Sequence, residues 1–504
     1  MNSRSLTVAE DISRARYELE IYLLGDDFDL YEDERFISKV EPRHSSAEVS
    51  FGKLILYCRG DGWSRSWRVL RCEITPERLQ LECAKQMGRT LCTVQLRRGE
   101  ARLGPAQTRS EFAQKLTAMI EANLAGLNVE RAAANSVHAR LTIKDRGHLI
   151  AGIGVSSQES QSNIDATLGA GLIWFDELRR KQTTIKKRAT VNRLMIFVPR
   201  DRATTIATRL TVARIAGASI SLYEVDETRG IIKPVAPFDQ GDLSDRLRKA
   251  ALRADWPGRR ELPAEIAALV ERIHGLAPNL VEIHGRGNWV SLSIHGLEFA
   301  RISINRKRME FGLGQSKERF TESNPARLEN LVAEIADARR SDCEDRNSPL
   351  FRDQAERWLE SILRRDIQAL DASLDPRYVY SQVPAYRGEH RSFIDLLAAT
   401  REGRLAVIEL KVAEDAEFPF QGLDYWLRIE WHRLRRDFER RGYFKDLKLA
   451  PDTPLLYLVA PLFRFHAATR LIAGSIVERV PVYRIGINED WRAGVRVLLT
   501  ERMN

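Results

Sequence analysis

Leu405-Ala-Val-Ile-Glu409-Leu-Lys411-Val412 is an apolar run with a carboxylate and an ammonium two residues apart. Its length and composition read as a buried strand. Side chains alternate faces along a strand, so Glu409 and Lys411 point the same way, with Val407 leading on their face. Just upstream, Ile394-Asp395-Leu396-Leu397 places a second acid in a second apolar segment. Burying unpaired charge is costly, so a folding chain that does it needs compensation. The simplest compensation is a divalent cation held by Asp395 and Glu409, with Lys411 beside a polarised water.

Asp395 followed by Glu409-x-Lys411, after a turn at Arg401-Glu-Gly-Arg404, resembles the PD-(D/E)XK nuclease superfamily. Ile394 stands where the family name has proline. Gln421-Gly-Leu-Asp-Tyr425 is similar to the Gln-x-x-x-Tyr motif of the RecB-like branch, and Gln421 and Tyr425 share a helix face one turn apart. The resemblance implies Mg²⁺-dependent hydrolysis of phosphodiesters, with Mn²⁺ able to substitute. Asp395 and Glu409 become the metal ligands, joined by the backbone carbonyl of Leu410. Lys411 orients the attacking water or stabilises transition-state charge, and Gln421 and Tyr425 position the metal site or the nucleic-acid strand. A glutamate on the first helix often completes such a site; Glu356 lies nearer the apolar stripe than Glu360 and is preferred. The bland alternative is a surface hairpin with a salt bridge, which the apolar surroundings of Glu409 disfavour.

The 504 residues suffice for about three or four domains. At 43% hydrophobic and 30% charged residues, the chain is expected to be soluble and globular. It has no apolar run long enough for a bilayer and no secretory core, so no membrane partner is expected. Five cysteines without metal-ligand spacing, and odd in number, point to a reducing cytoplasm rather than a disulfide framework. A net charge of +9 favours a polyanionic partner such as nucleic acid; that it is DNA is what the nuclease resemblance implies.

The nuclease-like unit is expected over residues 346–504. Its helix runs over Phe351–Leu370 and is broken by Asp375-Pro376. Strands follow at Tyr378–Tyr386, Ser392–Ala399 and Leu405–Val412, then a helix to Phe444 rich in arginine. A strand at Leu455–Val459, a helix at Ala467–Ile476 and a strand at Val482–Ile487 complete an αβββαβαβ order. A degenerate copy is expected over 106–230. Gly147-His-Leu-Ile-Ala-Gly-Ile-Gly-Val155 parallels Gly403–Lys411, Arg193–Pro199 parallels Leu455–Pro461, and Ile220–Val225 parallels Val480–Ile485. Ile153 and Val155 then stand where Glu409 and Lys411 do, so this copy cannot hold the ion. Residues 1–105 read as an α/β domain, with a helix over Val8–Leu24, and 240–342 as a β-rich domain ending in a helix. The fold class is therefore α/β of the mixed-sheet, α+β kind, in several domains. An inactive binding or scaffold protein on the same fold and an RNA-directed nuclease remain open, as does homo-oligomerisation.

Overall fold

The computed structural model describes residues 4–7, 12–23, 28–33, 35–40, 45–50, 53–60, 63–74, 78–85, 90–97, 105–134, 137–184, 190–239, 241, 263–286, 288–314, 316–387 and 390–504. The chain divides into two compact units, residues 1–108 and 109–504. It is a mixed α and β protein with antiparallel and mixed sheets. No helix among the described residues is long and apolar enough to cross a membrane.

In the first unit an eight-stranded antiparallel sheet is covered by one helix, Ile12–Leu23. Ala15, Leu19, Tyr22 and Leu23 form that helix's buried stripe, packed on alternate strand residues such as Leu54, Leu56, Leu79 and Leu81. The sheet's strands include Lys53–Gly60, Trp63–Ile74, Arg78–Lys85 and Thr90–Arg97. Arg4–Thr7, Phe28–Glu32, Arg35–Val40 and Ser45–Ser50 join them.

The second unit contains two six-stranded sheets of the same topology. Upstream, the spatial order is Asn128–Ala133, His138–Asp145, His148–Val155, Val191–Pro199, Ser219–Asp226 and Ile231–Val235. Downstream it is Leu374–Arg387, His390–Thr400, Leu405–Leu410, Leu455–Pro461, Val482–Ile487 and Val497–Arg502. In both, the pairings run antiparallel, antiparallel, parallel, parallel, antiparallel. Helices enter at the same places: before the sheet, between the third and fourth strands, and between the fourth and fifth. The turn before each third strand uses a glycine at positive φ, Gly147 at 93° and Gly403 at 87°. A side chain at Gly403 would also strike the Lys448 carbonyl, so the tight turn needs glycine there.

The register supports the expected alignment of two strands and corrects a third. Ile153 pairs with Ile196 as Glu409 pairs with Leu458. Leu194, however, pairs with Ile220 while its counterpart Leu456 pairs with Val482. Ile220 therefore matches Val482, two residues along from Val480, and a shift of two preserves the face of the sheet.

The two copies share one core. Helices Thr167–Thr184 and Phe418–Leu434 contribute Leu168, Leu172, Phe175, Phe420, Leu423 and Trp426 to it. Arg209, fully buried, crosses this interface. It reaches Asp424 at 3.0 and 3.1 Å, Glu417 at 3.1 Å and the Asp165 carbonyl at 2.7 Å.

Between the copies, Ala264–Leu276 is a helix that pattern reading passes over. An antiparallel meander follows (Val281–Arg286, Trp289–Ile294, Leu297–Ser303, Arg308–Phe311, Glu318–Arg319), then helix Pro325–Ala338. Buried Arg339 ties this domain to the next, donating to the carbonyls of His295, Leu350 and Asp353.

Three expected boundaries in the last domain change. The first helix is Ala355–Arg365, because Gln354 takes a left-handed conformation (φ 48°) and separates it from the short turn Pro349–Arg352. Asp375-Pro376 lies inside an edge strand at a register shift, where a missing N–H is tolerated. The arginine-rich helix stops at Leu434, with Arg436 at φ 55° beginning a separate turn at Asp437–Arg440.

Candidate metal centre

The strands His390–Thr400 and Leu405–Leu410 pair Leu396 with Ile408 and Leu397 with Val407, which sets Asp395 opposite Glu409. The Leu410 N–H donates to Asp395 Oδ2 at 3.0 Å. Lys411 continues the sheet, its N–H donating to the Val459 carbonyl at 3.0 Å. The three residues singled out in the sequence therefore converge at one end of the sheet.

Their electrostatics are those of an overcrowded acid pair. Burial, then Glu360, push the half-buried Asp395 up to about 7, against the opposing pull of the Leu410 N–H. Burial, then Asp395, push Glu409 well above the usual carboxylate range. Glu409 is 4% exposed, and its Oε2 has no hydrogen-bond partner. Burial by itself would lower the Lys411 ammonium, but Glu356, Glu409, Asp415 and Asp395 outweigh it and raise it. Its Nζ lies 3.8 Å from both Glu356 and Asp415.

Glu360, not Glu356, is the buried glutamate of the first helix. It accepts hydrogen bonds from Ser381 Oγ (2.5 Å) and Gln382 Nε2 (2.7 Å), and pairs with Arg357 and Arg364. Gln382 sits at φ 55°, a left-handed residue in the edge strand, and its amide also lies 3.4 Å from Asp395 Oδ1. Such a residue re-aims its side chain, here across two acids. Arg364 and Arg365 in turn hold Glu282 of the neighbouring meander at 3.3 and 2.7 Å. No sequence pattern marks Gln382, Ser381 or Glu282 as neighbours of this site.

Hard carboxylate oxygens, one of them buried without a hydrogen-bond partner, form a donor set that fits Mg²⁺, which binds through one or two carboxylates and keeps several waters. Among the described residues no three His, Cys, Asp or Glu side chains cluster tightly enough to ligate an ion together. Glu356, expected as a third ligand, is about two-fifths exposed and faces Lys411 instead. Leu410 meets Asp395 through its N–H, whereas the sequence reading assigned its carbonyl to the ion.

Gln421 and Tyr425 lie one turn apart near the start of helix Phe418–Leu434, both half-buried. Tyr425 packs against the shared apolar core. Three arginines farther along this segment are engaged within the protein: Arg428 with Asp239, Arg433 with Glu430, Arg440 with Asp437. Trp426 is buried and donates to the Pro454 carbonyl. The buried His432 pairs with Asp437.

No family model matches the chain, and no curated protein matches it. A chain in the solved structure of the EndoMS–dsDNA2 complex is similar over 44% of this chain and 98% of its own length, at 10% identity and a TM-score of 0.19. That score is too low to carry an argument about fold or activity.

Proposed function

We propose that this chain is a Mg²⁺-dependent nuclease that hydrolyses phosphodiester bonds in DNA, with its centre at Asp395, Glu409 and Lys411. The observation that carries the reading is the buried acid pair. Burial and neighbouring acids raise the proton affinity of two carboxylates on facing strands, Glu360 acting on Asp395 and Asp395 on Glu409; one oxygen has no hydrogen-bond partner, and an ammonium stands beside them. Without a cation this arrangement is unfavourable; with one it is satisfied.

A bound Mg²⁺ would supply Lewis-acid polarisation of the phosphate and a more acidic water. The remaining work falls to the chain's own groups. Asp395 and Glu409 would hold the ion, and the Leu410 N–H fixes the Asp395 carboxylate. Lys411, kept protonated by Glu356 and Asp415, orients the attacking water or stabilises charge on the phosphate as it builds up. Glu360 and Gln382 position Asp395 from behind. Gln421 and Tyr425 contribute to aligning the strand. The upstream copy, with Ile153 and Val155 at the corresponding positions, is non-catalytic.

Cleavage of labelled DNA and RNA, single- and double-stranded, with Mg²⁺ and with EDTA, tests the reading. Activity that needs Mg²⁺ and disappears in Lys411→Ala supports it. Cleavage in EDTA, or unchanged cleavage by Lys411→Ala, refutes it.

A further inference from the structure

We propose that the non-catalytic copy holds a backbone phosphate of a DNA strand in a cationic cavity around Arg140, at the strand position where the C-terminal copy carries Asp395. The identity of the polyanion rests on the nuclease reading; the cavity itself does not.

Arg140 pairs with Ile153 across the hairpin. Ile153 corresponds to Glu409, so Arg140 corresponds to Asp395. Where one copy has an acid suited to gathering a cation, the other has a permanent cation built in. A guanidinium there keeps the attraction for phosphate while removing the means of cleaving it.

The surroundings fit that task. A cavity of about 330 Å³ is lined by Arg131, His138, Arg140, Trp174, Glu177 and Lys181, together with two small residues. Arg131, Arg140 and Lys181 are three cations against the single acid Glu177. His138 adds no charge, since burial lowers its proton affinity. The Arg140–Glu177 pair, at 3.1 Å, is 36% and 40% exposed, so exchanging it for a phosphate costs little. Trp174 forms an aromatic wall, with Arg140 and Lys181 each 5.6 Å from its ring centre. Its indole N–H is given to the Leu141 carbonyl and the side chain is only 9% exposed, so Trp174 holds the two cations in place rather than offering a face to a base.

Packing does not require these cations. In the C-terminal copy the position of Arg131 is taken by Tyr380, which packs on Tyr443 and Phe444, and that of Thr142 by Leu397. The upstream copy has exchanged an aromatic filling for an open basic cleft.

The test is anisotropy of a fluorescein-labelled DNA oligonucleotide with the full chain in EDTA, where no metal-dependent cleavage occurs. Arg140→Gln combined with Lys181→Gln should weaken binding roughly tenfold and reduce the salt slope by about one to two. Arg131→Gln, on the exposed edge strand, should weaken it less, and Glu177→Gln should tighten it. Parental affinity in the Arg140→Gln/Lys181→Gln double variant overturns the proposal, as does failure of the parent to bind. Binding that depends on Arg140 without any Mg²⁺-dependent cleavage would remove the nuclease reading and keep this one. Cleavage with binding indifferent to Arg140 would do the reverse.

Discussion

Leu410 donates its backbone N–H to Asp395 Oδ2 at 3.0 Å, so the strand that carries one acid fixes the other. Asp395→Asn keeps an acceptor oxygen for that N–H and removes the charge. We expect an unchanged circular dichroism spectrum and a loss of Mg²⁺-dependent cleavage of roughly 10²-fold or more. Without metal at pH 8, relief of repulsion with Glu409 should raise the melting temperature above the parent's. A variant that melts lower and still cleaves contradicts this.

Both acids bind protons more tightly in the folded chain, Asp395 up to about 7 and Glu409 well above its ordinary range. Between the ordinary carboxylate range and about pH 7, the folded form therefore holds protons that the unfolded form has released. Metal-free stability declines as pH rises through that window. The cation needs both groups ionised, so its binding strengthens in the same direction. Mg²⁺ should raise the melting temperature clearly at pH 8, and the effect should fade below about pH 6. An equal Mg²⁺ shift at pH 5 and pH 8 contradicts the pair as the binding site.

Gln382 combines a left-handed backbone with an amide shared between Glu360 and Asp395. Gln382→Ala and Gln382→Gly both lose the amide, but only glycine relieves the backbone. Chemical denaturation should find the alanine variant less stable than the glycine variant by about 1 kcal/mol. Both should need more Mg²⁺ for half-maximal cleavage. Equal stabilities would remove the strain from the account.

Arg209 is buried between the copies against Asp424 and Glu417. Arg209→Ala removes the guanidinium that these two carboxylates share and should cost about 3–5 kcal/mol. Arg209→Lys, which lacks the two-pronged geometry, should recover only part of it. A thermal melt close to the parent's in both variants would mean the interface tolerates the loss.

The legible parts of the fold were those buried on both sides. Val482–Ile487 matches its expected bounds, and Leu405–Leu410 matches but for its last two residues. Val497–Arg502 was missed because it has no fully buried residue and so no apolar signature. The helix Ala264–Leu276 did carry a signal, in Ile266, Val270 and Ile273. The breaks at Gln354 and Arg436 carried none, since residues of those types rarely turn left-handed. At the site, Asp395, Glu409 and Lys411 were readable because charge within apolar strands is conspicuous. Their supports were not: Glu360 differs from Glu356 only in which way one helix turn faces, and Glu282 arrives from another domain. The basic run Lys186-Lys187-Arg188 lies outside the described residues.

Anomalous diffraction from Mn²⁺-soaked crystals tests the central claim most directly. The account predicts a peak bridging the carboxylates of Asp395 and Glu409 beside Lys411, absent from Asp395→Asn crystals. No peak there, with ordered density for both side chains at a pH where they are ionised, would contradict it.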